Sequence, residues 1–203
     1  MKTSIPKQFL PLSGKPIALH SFELFSQMEE IDEIIVVCEP KYRSLFPAKK
    51  FALPGIRRQD SIYNGFCLVS PEAGIISTHD AARPFVDKAL LLDLFEQTLK
   101  IGAATLAAPV VSTIKECHED RMVKKTLPRS QLWEIQTPQA MKRSLFERGF
   151  AQIQKQNIDI TDDVFLAEVL NEPVAIIPSS HRNLKITTPI DLAVAKAILC
   201  DIN

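Results

Sequence analysis

Apolar positions follow two rhythms along this chain. Glu33 to Cys38 (EIIVVC) is a continuous, β-branched run that stops at Glu39-Pro40, the pattern of a strand covered on both faces. Leu19, Phe22, Phe25 and Met28 instead recur at intervals of three, the spacing of a helical stripe. Further on, Gln59-Asp60-Ser61 opens a helical stretch through Cys67, and Gly74 to Thr78 is a strand. Asp87 caps a helix running to Lys100, Gly102 closes it, and Ala103 to Val110 returns to strand. Strands alternating with helices at this spacing predict an α/β fold with a mainly parallel, doubly wound sheet and right-handed crossovers.

Between Val110 and Gln136 the rhythm breaks. Val111 to Glu116 and Arg121 to Leu127 are short alternating segments around the turn-forming His118-Glu119-Asp120, which predicts a β-hairpin arm at about 111–136. A two-stranded ribbon is marginal alone, so the arm is expected to pack on a partner. After it come a helix from Arg143 to Gln156, a second helix capped by Thr161, the strand Val174 to Ile177, and a last helix with Pro189 in its first turn. The sequence shows no repeat or low-complexity linker, and 203 residues are expected to form a single domain over 1–203.

Charge narrows the function classes. Lys plus Arg and Asp plus Glu number 24 each, so no global field attracts nucleic acid or an anionic membrane, and any phosphate recognition has to be local. No apolar run approaches the ~20 residues of a membrane span, and the N-terminus lacks the apolar core of a signal peptide, so a cytoplasmic protein is expected. Cys38, Cys67, Cys117 and Cys200 are scattered without a C-x-x-C pair and read as reduced thiols. His20, His79, His118 and His181 show no metal-ligand spacing and are assigned structural roles.

The most telling segment is His79-Asp80-Ala81-Ala82-Arg83-Pro84, directly after the run Ile75-Ile76-Ser77-Thr78. It sets a carboxylate and a guanidinium at the tip of a strand, where open α/β sheets bind ligands. Asp80 can hold a divalent cation or a substrate hydroxyl, and Arg83 can fork onto a phosphate, so the pair suggests a phosphorylated substrate. Four further segments accompany it in order: Pro6-Lys7-Gln8 near the start, Thr137-Pro138-Gln139, Ile160-Thr161-Asp162-Asp163, and Asn183-Leu184-Lys185-Ile186-Thr187-Thr188-Pro189-Ile190-Asp191-Leu192.

In that order these motifs resemble the 2-C-methyl-D-erythritol 4-phosphate cytidylyltransferase family of non-mevalonate isoprenoid biosynthesis, from about Pro6 to the C-terminus. Ribitol-5-phosphate cytidylyltransferases share most of them; Ala81-Ala82 favours the erythritol enzyme. The resemblance implies a Rossmann-like nucleotidyltransferase that transfers a cytidylyl group from CTP to a polyol phosphate, requires Mg²⁺, and dimerises by embracing arms. It implies Lys7 and Lys185 as catalytic cations, and Gly55, Ser61 and Ala81 as the nucleotide-binding residues, around cytosine and ribose. Asp80 and Arg83 would hold the acceptor's polyol and phosphate, with Asp80 also the candidate metal ligand. Thr137 would bind phosphate through its hydroxyl, and Thr113 and Arg129 would reach the neighbouring subunit's acceptor. Asp162 and Asp163 are expected to serve a helix N-terminus. The family opens with a strand and a Gly-rich loop ending in an Arg that wraps the triphosphate, and here Met1-Lys2-Thr3-Ser4 directly precedes Pro-Lys-Gln. The expectation is therefore a chain of low activity as written, rescued by such a segment upstream, or a dimeric nucleotide-binding protein without turnover.

Overall fold

The computed structural model describes residues 5–202. A tight antiparallel pair comes first, β1 (Pro11–Leu12) and β2 (Lys15–Pro16), its turn made possible by positive φ at Ser13 and Gly14. Helix α1 (Ile17–Ser26) follows, then β3 (Ile35–Val37) and β4 (Lys50–Ala52), which pair parallel as a sheet of their own. Because β3 is paired on one side only, its residues are half-buried and not covered on both faces as their apolar run predicts. Helix α2 (Arg58–Phe66) leads to β5 (Ile75–Thr78), α3 (Lys88–Ile101) and β6 (Ala103–Pro109).

The chain then leaves the body as the hairpin β7 (Lys115–Cys117) and β8 (Val123–Thr126) and returns as the ten-residue β9 (Trp133–Lys142). Helices α4 (Arg143–Gln156) and α5 (Phe165–Glu168), strand β10 (Ala175–Pro178) and helix α6 (Pro189–Ile202) complete it. The main sheet has the order β10-β6-β9-β5, with β10 parallel to β6 and β9 antiparallel to both neighbours. The α/β fold class stands, but the sheet is mixed where mainly parallel pairing is expected. The reason is the connection: β6 and β9 are joined by a hairpin without a crossover helix, and that geometry forces them antiparallel. The end of the expected arm, from Trp133 on, belongs to β9.

Side chains alternate across this sheet, so each strand feeds two cores. Ala104, Leu106, Ala140 and Ile177 face Leu91 and Leu94 of α3 and Met28, while Ala103, Met141 and Ile76 face Leu145, Phe146, Phe150 and Ile153 of α4. Asp87 accepts from the backbone N–H of Ala89 and Leu90, capping α3 as expected, and Gly102 ends it at φ 118°. The expected cap at Thr161 is instead made by Asp162, which accepts from Phe165 N at 3.0 Å at the start of α5. Gly149 of α4 lies so close to α5 that an added Cβ would meet the Leu166 carbonyl oxygen at 2.6 Å. Among the described residues no helix is long and apolar enough to cross a membrane. Cys38 is buried, and Cys67, Cys117 and Cys200 are exposed and unpaired.

Candidate active site

Thr78 ends β5 and hands the chain to a tight turn in which Arg83 N donates to the Asp80 carbonyl at 2.9 Å. Ile186 N donates to the Ala82 carbonyl, laying the Lys185 segment alongside that turn. Asp80 Oδ2 thereby receives Lys185 Nζ at 2.6 Å, Oδ1 lies 3.5 Å from Arg58 Nε and Nη2, and Arg83 Nε is 4.0 Å from Oδ2. Burial works against ionisation of Asp80, and these cations, Lys185 above all, outweigh it and hold its carboxyl below the usual range. Lys7 joins the same field from the turn Lys7–Phe9. Its ammonium pKa is lowered, by burial first and by the Lys185 charge second.

Four cationic side chains, Lys7, Arg58, Arg83 and Lys185, thus gather around Asp80, with Asp163, Asp191 and Glu134 also in their field, an arrangement that can receive phosphates between the cations. Arg83 itself is only 7% exposed. Its Nη1 donates to the Asn183 carbonyl at 2.6 Å, while its buried Nε has no hydrogen-bond partner. An orphaned guanidinium donor beside the Asp80 opening is costly unless an acceptor completes it.

Of the residues expected to bind nucleotide, Gly55 lies in the loop before α2 and Ser61 in its first turn. Gly55 is obligatory, since a Cβ there would come within 2.4 Å of Asp60 Cβ. Ser61 Oγ accepts from Gly55 N at 2.9 Å and donates to the Arg57 carbonyl at 3.3 Å, so its hydroxyl closes the loop. Ala81 is exposed on the turn between Asp80 and Arg83. Thr137, 4% exposed, has its hydroxyl between Asp80 N, from which it accepts at 3.0 Å, and His79 Nδ1 at 3.3 Å. That hydroxyl thereby fixes the turn carrying Asp80. Thr113 and Arg129 lie exposed on the arm, where Arg129 Nη1 donates to the Val111 carbonyl at 2.9 Å.

Asp163 stands just before α5, as expected, but its side chain turns to other partners. It is fully buried and accepts a two-pronged bond from Arg58, Nη1 to Oδ1 at 2.6 Å and Nη2 to Oδ2 at 2.8 Å. Thr78 Oγ1 donates to the same carboxylate at 2.7 Å. Gln139 Oε1 accepts from Asp163 N and Val164 N, holding this segment against β9. Asn183, 3% exposed, donates from Nδ2 to Gln136 Oε1 and to the Thr137 carbonyl, both at 3.0 Å. Sequence reasoning missed Arg58, Gln136, Gln139 and Asn183 as parts of the site. Nothing local separates Arg58 from its exposed neighbour Arg57, which pairs with Asp60 and Asp159.

A divalent cation on Asp80 does not fit this arrangement. Both carboxylate oxygens already face cations, and among the described residues no three His, Cys, Asp or Glu side chains converge as a metal cage. The expected metal role of Asp80 would require Lys185 to leave Oδ2 first.

Residues 1–201 match the family model described as 2-C-methyl-D-erythritol 4-phosphate cytidylyltransferase. The chain is 43% identical over 207 residues to the chloroplastic protein of that name from Oryza sativa subsp. japonica, covering 98% of this chain and 70% of the relative. It is 41% identical over 199 residues to the one from Chlamydia pneumoniae, covering 97% and 92%. Among solved structures, 4-diphosphocytidyl-2C-methyl-D-erythritol synthase from Anaerococcus prevotii superposes with a TM-score of 0.87 at 26% identity, over 94% of this chain and 88% of that one.

Proposed function

Since the chain belongs to the 2-C-methyl-D-erythritol 4-phosphate cytidylyltransferase family, we propose that the cationic cluster around Asp80 is where CTP and the acceptor phosphate are brought together. The protein is a nucleotidyltransferase of isoprenoid biosynthesis that moves a cytidylyl group from CTP to 2-C-methyl-D-erythritol 4-phosphate and releases pyrophosphate. The relatives named above carry the methylerythritol acceptor in their names, which disfavours ribitol 5-phosphate.

The reaction joins two anions. An oxygen of the acceptor phosphate attacks the α-phosphorus of CTP in line, a new P–O bond forms, and the bond to the β-phosphate oxygen breaks. The acceptor is already ionised, so no general base is needed, and the enzyme's task is positioning and neutralisation. Lys7 and Lys185 repel each other across the cluster, and both are satisfied when phosphoryl oxygens enter between them. Lys185 trades its bond to Asp80 for one to phosphate, and Asp80 is then free to accept from an acceptor hydroxyl. Arg83, with its orphaned Nε, takes the acceptor phosphate; Gly55, Ser61 and Ala81 shape the wall for cytidine. Mg²⁺ keeps several waters and binds phosphate oxygens readily, so it would arrive with the triphosphate and not on a protein cage.

The observation that carries this reading is the convergence of Lys185, Arg58 and Arg83 on one half-buried carboxylate. Pyrophosphate release with CTP and 2-C-methyl-D-erythritol 4-phosphate, against ribitol 5-phosphate, tests it. CTP should also bind more tightly than UTP or ATP, since each unmatched buried polar group costs about 1–3 kcal/mol. Equal use of both acceptors, or equal binding of the three nucleotides, would overturn the assignment.

The exposed arm residues Thr113 and Arg129 support a homodimer in which each arm completes its neighbour's acceptor site. Arg129→Ala and Arg83→Ala proteins, each nearly inactive, should regain activity when mixed and allowed to exchange subunits. No recovery despite measured exchange would put both residues in one subunit's site or in neither. Neutral formal charge and unpaired cysteines support a reducing, cytoplasmic setting.

A further inference from the structure

Arg58 touches no expected ligand group, yet two of the most constrained carboxylates in the molecule meet at its guanidinium. Asp163, with none of its surface exposed, grips it at two points, and Asp163 is itself held by the Thr78 hydroxyl and, through its backbone N–H, by Gln139. An ion pair buried this deeply is weak evidence for stability, because the cost of desolvating both partners offsets their attraction; registry is its better-attested use. The other side of the same guanidinium faces Asp80 Oδ1 at 3.5 Å, while Oδ2 is taken by Lys185 at 2.6 Å. Asp80 is thus oriented by a fixed cation on one oxygen and bonded to a displaceable one on the other. The longer contact leaves Oδ1 with lone-pair directions open to a hydroxyl.

Resting on the assignment of Asp80 to the acceptor made above, we propose that Arg58, clamped by Asp163, is a positioning residue that sets the Asp80 carboxylate for the acceptor's polyol. Its place follows from the fold: Arg58 is the first residue of α2, directly after the Gly55 loop, and Asp163 lies in the turn before α5. Neither element contains Asp80, so the orientation is built from three separate parts of the chain.

Steady-state kinetics of the whole protein with CTP and 2-C-methyl-D-erythritol 4-phosphate test this on Arg58→Gln, Arg58→Lys, Asp163→Asn and Asp80→Asn. Arg58→Gln and Asp163→Asn should each raise the acceptor KM ten-fold or more and leave the CTP KM within two-fold, although Asp163 is out of reach of any substrate. Arg58→Lys, which keeps the charge without the fork, should fall between them and the parent, and stays informative should Arg58→Gln fold poorly. A purely structural Arg58 would lower the folded fraction, and so the apparent kcat, with both KM values unchanged. That result, together with a raised acceptor KM in Asp80→Asn, would overturn the proposal alone. An unchanged acceptor KM in Asp80→Asn would overturn the assignment of Asp80 and the proposal with it.

Discussion

The turn around Asp80 and the hairpin arm both carry charged and hydroxyl side chains and are held in opposite ways. Around Asp80, the side chains of Thr78, Thr137, Gln139, Asp163 and Asn183 are each spent on a named partner inside the protein, and all but Thr78 are under 5% exposed. On the arm, all four residues of β8 are exposed, Lys124 and Lys125 pair with Glu116 at the surface, and Val111, Met122 and Val123 are more than half exposed. Exposed ion pairs contribute little, typically under about 1 kcal/mol, whereas a buried polar network is costly to leave half satisfied. Geometry is therefore stored in the body, and the arm offers reach without rigidity of its own.

The strongest way to break this contrast is Asp163→Ala. It leaves the Arg58 guanidinium, on a side chain 32% exposed, with only its 3.5 Å contact to Asp80, a loss of about 2–3 kcal/mol, below that of a fully buried pair. In a chain of this size that is a fall in Tm of about 4–12 °C, measurable by circular dichroism. A fall of under 2 °C would mean that the network is not what holds the turn.

Next in size, Lys185→Ala should lower kcat by about 10²-fold or more, the scale for removing a preorganised donor, with a smaller change in CTP KM. Near-normal kcat would remove Lys185 from the reacting centre.

A third test uses pH. Burial of the His79 ring, packed edge-on to Phe25 at 5.1 Å, pushes its pKa down to about 4. Unfolded chains bind the proton near pH 6.5, so between those values the unfolded state holds more protons and stability falls as pH falls. His79's contribution is complete above 6.5 and lost on approaching 4, about 3 kcal/mol at most. Melting curves from pH 7 to 5 should show the decline, and His79→Gln should flatten it; an unaltered slope would assign the loss elsewhere.

The smallest effect sharpens the contrast from the other side. Lys124→Ala and Met122→Ser on the arm should each change body stability by no more than about 0.5 kcal/mol, or roughly 2 °C. A shift as large as that of Asp163→Ala would erase the distinction between the two regions.

Much of the fold was legible because periodicity and caps are local. Asp87, Gly102, Arg143 to Gln156 and the hairpin around His118 to Asp120 occupy the places their residue types suggest. Strand direction was not, because whether β9 runs with or against β6 depends on how the chain returns from the arm, which no window of residues encodes. The site divides in the same way. Asp80, Arg83 and Lys185 are exposed to reasoning by the residue types and motifs around them, whereas Arg58, Gln139 and Asn183 act through partners 20 to 100 residues away in sequence. Ser61 and Thr137 carry a second role that their motifs do not display: each hydroxyl also holds a loop in place through a backbone N–H.

The β6–β9 ladder changes register between Thr105 and Ala107, where Gln136, Thr137 and Pro138 stand opposite the single residue Leu106. Such irregularities re-aim side chains next to functional sites. Here the surplus residues carry the Gln136 and Thr137 contacts to Ser180, Asn183 and Asp80. Over generations this divides the chain into lengths that can drift and one that cannot. Gain or loss of residues at the His118 to Arg121 turn alters only how far the ribbon extends. A single-residue deletion between Trp133 and Lys142 would shift the upper ladder against the lower, turn inward-facing side chains out, and part Gln136 and Thr137 from Asn183 and Asp80 in one event.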